Sequence, residues 1–297
     1  MKKIDLHCHV IQYPQYTPTS LRGQQILSVD EQIEVLDKLD AEIGVLLPCV
    51  SYEAQWLLNT NESYKSIVDA HPDRFKWFCN IDPRMAMYSS KTDLSFFINH
   101  YKSLGAKGVG EITTPLYADD PMMDNLFYHC SECDMPVLIH IAPQHGDTYG
   151  IVDDLGLPRF EKMLKKHKNM RLIGHSAAFW AEISDDLTQD MRNDYPRGKV
   201  REGRMPKLMR EYGNLYADLS AGSGSNAMMR DPEYAAKFIT EFQDRIYYGT
   251  DVCSVHSTFQ YEFDAFLKKL VDDKMISFEA YEKIIRKNAA KLLGIEG

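Results

Sequence analysis

No run of about 18 apolar residues occurs in the chain, which argues against a transmembrane helix. A cationic surplus is also missing. Against 43 Asp and Glu stand 34 Lys and Arg, a net charge of -9. That balance argues against nucleic acid or an anionic membrane as the main partner. Polar Asp5 and His7 follow Met1-Lys2-Lys3 where a signal peptide needs an apolar stretch. The first apolar segment runs into His7-Cys8-His9-Val10 and lacks the Gly-rich turn of a dinucleotide-binding open sheet. Six cysteines are present, but Cys130-x-x-Cys133 has no second Cys-x-x-Cys and falls inside a helical pattern. The cysteines are therefore expected to be free thiols in a cytoplasmic protein.

The 297 residues are 44% hydrophobic and 26% charged, enough to bury a sizeable core. Ile4 to His9 reads as a strand, with Asp5, His7 and His9 on one face and Leu6, Cys8 and Val10 on the other. A loop from Val10 to Gly23 follows and is expected to overhang that strand's end. Ser28-Val29-Asp30-Glu31 has the form of a capping box and opens a helix with Ile33, Leu36 and Leu39 on one face. Short apolar runs predict further strands at 43–48, 75–81, 106–112, 136–141, 170–175, 215–219 and 245–249, with helical patterns between them. Eight strands alternating with helices predict an α/β fold, the (β/α)8 TIM barrel, with a doubly wound sheet as the alternative. One domain spanning 1–297 is expected, with an insertion or long loop at about 182–206, where charges are many and apolar residues few.

Barrel chemistry gathers at the C-terminal ends of the strands. The predicted strand ends carry His7 and His9, then Glu111, His140 and His175, and the last leads into Asp251. Four histidines and two carboxylates converging on one mouth suit Zn2+, and also Mn2+ or Fe2+. Each has a bland reading on its own. A lone histidine after an apolar run is often a satisfied core residue, Asp251 can cap a helix, and Glu111 can pair with Lys107. Six such coincidences at one barrel end favour a metal site. His71, His100, His129 and His167 read as surface residues. Tyr13, Tyr16, Trp180 and the basic stretch 197–204 are candidates to reach the mouth from loops.

These segments, Asp5 to His9, 136–140, 172–175 and 248–251, resemble the amidohydrolase superfamily. The likeness is to its amidohydrolase-related branch of aminocarboxymuconate-semialdehyde decarboxylase, resorcylate-type decarboxylases and lactonases. The resemblance implies that His7, His9, His140 and Asp251 hold a divalent metal, often zinc. It implies that His175 binds a second ion or acts as acid/base beside the substrate. Glu111 departs from the simpler one-metal pattern and is expected to be a ligand, bridging two ions if His175 binds the second. The implied activity is hydrolysis of an amide or lactone by a water whose pKa the metal lowers toward ~7, with Asp251 shuttling its proton. Nonoxidative decarboxylation of a small unsaturated or aromatic acid is the alternative. A binding protein that has lost activity is disfavoured by the full ligand set. A small-molecule substrate, without nucleic acid or membrane, is the expected partner, and a homo-oligomer stays open.

Overall fold

Ser28 starts the first long helix as its sequence predicts. Its Oγ accepts from Glu31 N at 3.4 Å, and Glu31 Oε2 accepts from Ser28 N at 2.7 Å. The computed structural model describes residues 1–17, 19, 25–57 and 59–296, the side chains of 55–57 excepted. Part of the predicted overhanging loop, residues 18 and 20–23, lies outside them.

The strands are β1 Lys3–Cys8, β2 Ala41–Leu46, β3 Phe75–Trp77, β4 Val109–Ile112, β5 Val137–Ala142, β6 Ile151–Val152, β7 Leu172–His175, β8 Leu215–Asp218 and β9 Ile246–Tyr247. They pair in parallel in the orders β1-β2-β3 and β4-β5-β7-β8-β9. Two seams join these arcs. Cys79, just past β3, bridges to Val109, and Leu6 N donates to Tyr248 O at 3.0 Å. The result is the (β/α)8 barrel that the alternation predicts. The extra strand, β6, pairs with the outer end of β5. Two residues are too few to show a pattern.

Helices cover the outside. Pro121–Glu132, Pro158–Lys166 and Pro232–Phe242 each begin on proline, whose fixed φ suits the first turn and whose missing N–H costs nothing there. Between strands and helices lies one large apolar cluster. A smaller one contains Ile4, Leu6, Ile43, Val45, Leu138 and Ile173, one or more from each of four strands. At about 25 cal/mol per Å² of apolar area removed from water, such burial is the main stabilising term.

Strict alternation along the first strand is overturned. Leu6 packs in the smaller cluster with Ile4, and Cys8 packs in the larger one. The pairing of β1 with β2 shifts register between Asp5 and Cys8, which resets the side-chain faces in the stretch that carries His7. The third strand is shorter than its apolar run, ending at Trp77. His167 is not on the surface. It is buried, with Nε2 2.8 Å from Asp124 Oδ1. The charged segment after 182 carries a 3-10 helix, Gln189–Asn193, and an antiparallel bridge from Ser184 to Glu202. All six cysteines are free. Among the described residues no helix is long and apolar enough to cross a membrane.

Candidate metal centre

β1 delivers His7 at its end and His9 just beyond it. β4, β5 and β7 deliver Glu111, His140 and His175, and the turn after β9 delivers Asp251. His140 and His175 are direct register partners. Asp251 has a φ of +52°, a conformation uncommon outside glycine that often marks functional sites. Its backbone N donates to His7 O at 2.8 Å. Asp5 fastens the same turn, accepting from Thr250 N at 2.9 Å and Thr250 Oγ1 at 2.6 Å. Asp5 therefore serves β1 and the turn and stays out of the ligand group. Its burial pushes its pKa up to about 6, against the hydrogen bonds from Thr250.

Asp218, at the end of β8, sets the imidazole orientations. His7 Nδ1 lies 2.6 Å from Asp218 Oδ2. Ser220 Oγ donates to that same oxygen at 2.7 Å and lies 2.9 Å from His175 Nδ1. With its hydrogen used on Asp218, Ser220 accepts from His175. This network puts hydrogen on Nδ1 of both histidines and turns both Nε2 atoms toward the carboxylates of Glu111 and Asp251.

Those atoms meet others of the same kind. His7 Nε2 and His9 Nε2 are 3.0 Å apart. Glu111 Oε2 is 3.3 Å from His9 Nε2 and 3.7 Å from His7 Nε2. Asp251 Oδ1 is 3.5 Å and 3.7 Å from the same two nitrogens. Ligands bound at about 2.1 Å and at angles of about 90–125° stand roughly 3.0–3.7 Å apart. A cation shared by these atoms fits that spacing and relieves facing lone pairs. Glu111 Oε1 turns the other way, 2.6 Å from His140 Nδ1 and 3.7 Å from His175 Nε2. Asp251 Oδ2 is 3.6 Å from His175 Nε2. Glu111 thus stands between a His7/His9 group and a His140/His175 group.

The electrostatics call for positive charge. Burial opposes charge on His7, yet Asp251 and Asp218 outweigh it and hold its pKa well above 6.5. Burial likewise opposes charge on Glu111, and His140 with the other histidines pulls it well below 4.5. Burial lowers His140, against the attraction of Glu111. Buried carboxylates kept ionised in an apolar surround need a cation close by.

The centre opens on a cavity of about 990 Å³ whose wall includes His140, His175, Asp251, Tyr149, Asn193 and Arg197. Of the loop candidates, Arg197 reaches this wall. Arg201 pairs with Asp185 and Arg204 with Glu161. Trp180 is buried and donates from Nε1 to Asp218 O at 2.9 Å, so it supports β8 rather than the mouth. Tyr13 and Tyr16 are exposed. Sequence reasoning missed Asp218 and Ser220. The available signal was a carboxylate closing the apolar run Leu215-Tyr216-Ala217, the same form that singled out Glu111.

A parallel eight-stranded barrel with histidines and carboxylates gathered at its C-terminal mouth defines a class of barrel enzymes. The sequence matches the amidohydrolase family over residues 4–295, and the chain belongs to that family. No curated protein matches the sequence. Among solved structures, it is similar to an uncharacterised TIM-barrel protein from Bordetella bronchiseptica (TM-score 0.67, 18% identity, 99% of each chain covered). It is similar to a probable 2-pyrone-4,6-dicarboxylic acid hydrolase from Acinetobacter baumannii with citric acid bound (TM-score 0.62, 16% identity, 99% of this chain and 100% of that one). A third is a dihydroxybenzoic acid decarboxylase from a Polaromonas species with bound manganese and the inhibitor 2-nitroresorcinol (TM-score 0.58, 16% identity, 99% and 97%). At these identities the likeness shows the shared fold alone.

Proposed function

We propose that the protein is a metal-dependent hydrolase that cleaves the C–N or C–O bond of a small amide or lactone. The reading is carried by Asp251. Its carboxylate is 20% exposed on the cavity side, while its oxygens lie 3.5–3.7 Å from the Nε2 atoms of His7, His9 and His175. A base in that position touches both substrate and centre. His7, His9, Glu111 and Asp251 would hold a divalent ion, with His140 and His175 available to a second on the far oxygen of Glu111. Zinc is the proposed metal, with manganese or iron as substitutes. When bound, it supplies Lewis acidity and lowers the pKa of water.

The chain's own groups supply the rest. Asp251 takes the proton of the attacking water and returns it to the leaving nitrogen or oxygen. His175, fixed through Nδ1, holds Nε2 toward the carboxylate of Asp251 and keeps it aimed. Asp218 and Ser220 keep the imidazoles from rotating. A cytoplasmic location is proposed on the six free thiols.

Nonoxidative decarboxylation of an unsaturated or aromatic acid is the second reading. Arg197, a residue of the cavity wall, favours it, since a substrate carboxylate pairs with arginine. One experiment separates the two. Metal-loaded protein is offered lactones, amides and unsaturated acids while acid release and carbon dioxide are both recorded. Ring or amide opening without carbon dioxide is the expected result, and carbon dioxide release alone overturns hydrolysis in favour of decarboxylation.

A further inference from the structure

Glu111 and Asp251 each turn one oxygen toward the imidazoles of His7 and His9, and a thiol stands against that same oxygen in both cases. Cys49 Sγ lies 3.7 Å from Glu111 Oε2, the atom 3.3 Å from His9 Nε2. Cys253 Sγ lies 3.5 Å from Asp251 Oδ1, the atom 3.5 Å from His9 Nε2. Both separations are within reach of an S–H donor, which is weak and long. The far oxygens take other partners. Glu111 Oε1 is 2.6 Å from His140 Nδ1, and Asp251 Oδ2 is 3.6 Å from His175 Nε2. Each thiol therefore meets the one oxygen of its carboxylate that belongs to the His7/His9 group.

The supports of the two thiols are fixed. Cys49 follows β2, and its backbone N donates to Asn59 Oδ1 at 2.8 Å. Asn59 Nδ2 donates to the Tyr64 hydroxyl at 3.0 Å, and that hydroxyl donates to Val10 O at 3.0 Å. Cys253 lies two residues past Asp251. Its sulfur also reaches Asp251 O at 3.6 Å, so one donor spans backbone and side chain of a residue whose φ is +52°. Both cysteines pack in the small apolar cluster of Ile11, Ile26 and Ala54. A thiol suits that place, because it packs as a small hydrophobe and still keeps one weak donor. A carboxylate oxygen has more than one lone pair, so accepting S–H leaves it able to meet an ion. The proton stays on sulfur, since a thiolate there would set like charges side by side.

We propose that Cys49 and Cys253 are positioning residues whose S–H groups hold Glu111 Oε2 and Asp251 Oδ1 on the His7/His9 side of the centre. The consequence for turnover rests on the hydrolase reading, in which Asp251 receives the water's proton. Both thiols act through the carboxylates and not on the substrate. A carboxylate free to rotate about its last bond would exchange its two oxygens between the two histidine groups. The S–H bond selects one of these arrangements before substrate arrives, and a base already aimed needs no reorganisation when the proton moves.

The S–H stretching vibration reads these bonds without turnover. Infrared difference spectra of the zinc-loaded protein, wild type minus Cys253→Ser and wild type minus Cys49→Ser, isolate one S–H band each. Both bands are expected at lower frequency than the band of ethanethiol in an apolar solvent. Asp251→Asn is expected to raise the Cys253 band and leave the Cys49 band in place, because an amide oxygen accepts more weakly than a carboxylate. Bands at the free-thiol frequency, or a Cys253 band unmoved by Asp251→Asn, overturn the assignment. Loss of either band on zinc loading also overturns it, because that sulfur would then be a ligand. Turnover gives the second readout, on a lactone or amide that the wild type hydrolyses. Cys253→Ala is expected to lower kcat about tenfold, less than the ~10²-fold of a whole ångström's misplacement, with KM and metal content unchanged. Cys253→Ser keeps a donor and is expected to recover most of the loss. Wild-type kcat in Cys253→Ala, or a serine variant no better than alanine, overturns the positioning role. Shifted bands in a protein that hydrolyses nothing in the panel sink the hydrolase reading and leave the two held carboxylates standing.

Discussion

His7 and His175 aim their Nδ1 atoms at one carboxylate oxygen, Oδ2 of Asp218, at 2.6 and 3.3 Å. Their ring centroids are 4.4 Å apart. Two imidazoles on different strands thus share one orienting group, and neither can turn without the other noticing. Asp218→Asn is expected to weaken metal binding about 10–100-fold, the usual cost of losing such a partner. Competition against a chelator measures it, and wild-type affinity in the variant would remove Asp218 from this role.

The purified protein is expected to contain at least one divalent transition-metal ion per chain. His140→Ala should lose most of what depends on the Glu111 Oε1 side, because that imidazole is the nearest group to that oxygen at 2.6 Å. Elemental analysis decides it. Full metal content in His140→Ala would take His140 out of the site.

Asp251→Asn should cost far more turnover than metal. An amide still offers an oxygen to an ion but cannot accept a proton. Metal content and kcat are measured on the same preparation. Near wild-type turnover would rule out the shuttle.

Gly249 sits where the centre's supports come closest. A Cβ there would lie 2.6 Å from Asp218 Oδ1, 3.0 Å from Ser220 Cβ and 3.1 Å from His7 Cβ. Gly249→Ala is expected to destabilise the fold by about 1–3 kcal/mol, as overpacking does, and to lower metal affinity. Gly213, with nothing within 4 Å of such a Cβ, is the control, and Gly213→Ala should retain wild-type affinity. Thermal melts and chelator competition on the two variants give the comparison, and equal behaviour contradicts the crowding argument.

Asp153 gives a pH signature away from the centre. It accepts backbone hydrogen bonds from Asp154, Arg159 and Phe160 at 2.8, 3.1 and 2.7 Å. Burial outweighs them and raises its pKa from 3.8 to about 6. The folded protein then binds this proton more tightly than the unfolded chain does. The associated stability is fully present below about pH 3.8 and is lost as pH rises through about 6, on the order of 3 kcal/mol in all. Urea unfolding of wild type and Asp153→Asn between pH 4.5 and 7.5, roughly this window, should show the wild type losing ground as pH rises. Parallel curves would contradict the raised value.

The barrel was legible because eight apolar runs, each with its own helix, repeat one supersecondary unit. The six residues that gather at the mouth could be picked out because each closes or follows such a run. Asp218 has the same form but was passed over, since a carboxylate that serves other side chains has no motif of its own. Ser220 needs the fold before it has a partner at all. The face of Leu6 was misread because a register shift between paired strands depends on the neighbour, and period-two alternation carries no record of it. Cys49 and Cys253 read as free thiols and no more, because only the fold sets each beside a carboxylate oxygen.

The seam where β1 meets the turn after β9 has a consequence for biosynthesis. His7 and His9 emerge from a ribosome long before Asp251, yet all three frame the same few ångströms. A nascent chain therefore displays two histidines without their carboxylate partner. The cluster is complete only when the final strand closes the ring. Long sequence separation of this kind also slows folding, so assembly of the cluster and completion of the barrel become one late event.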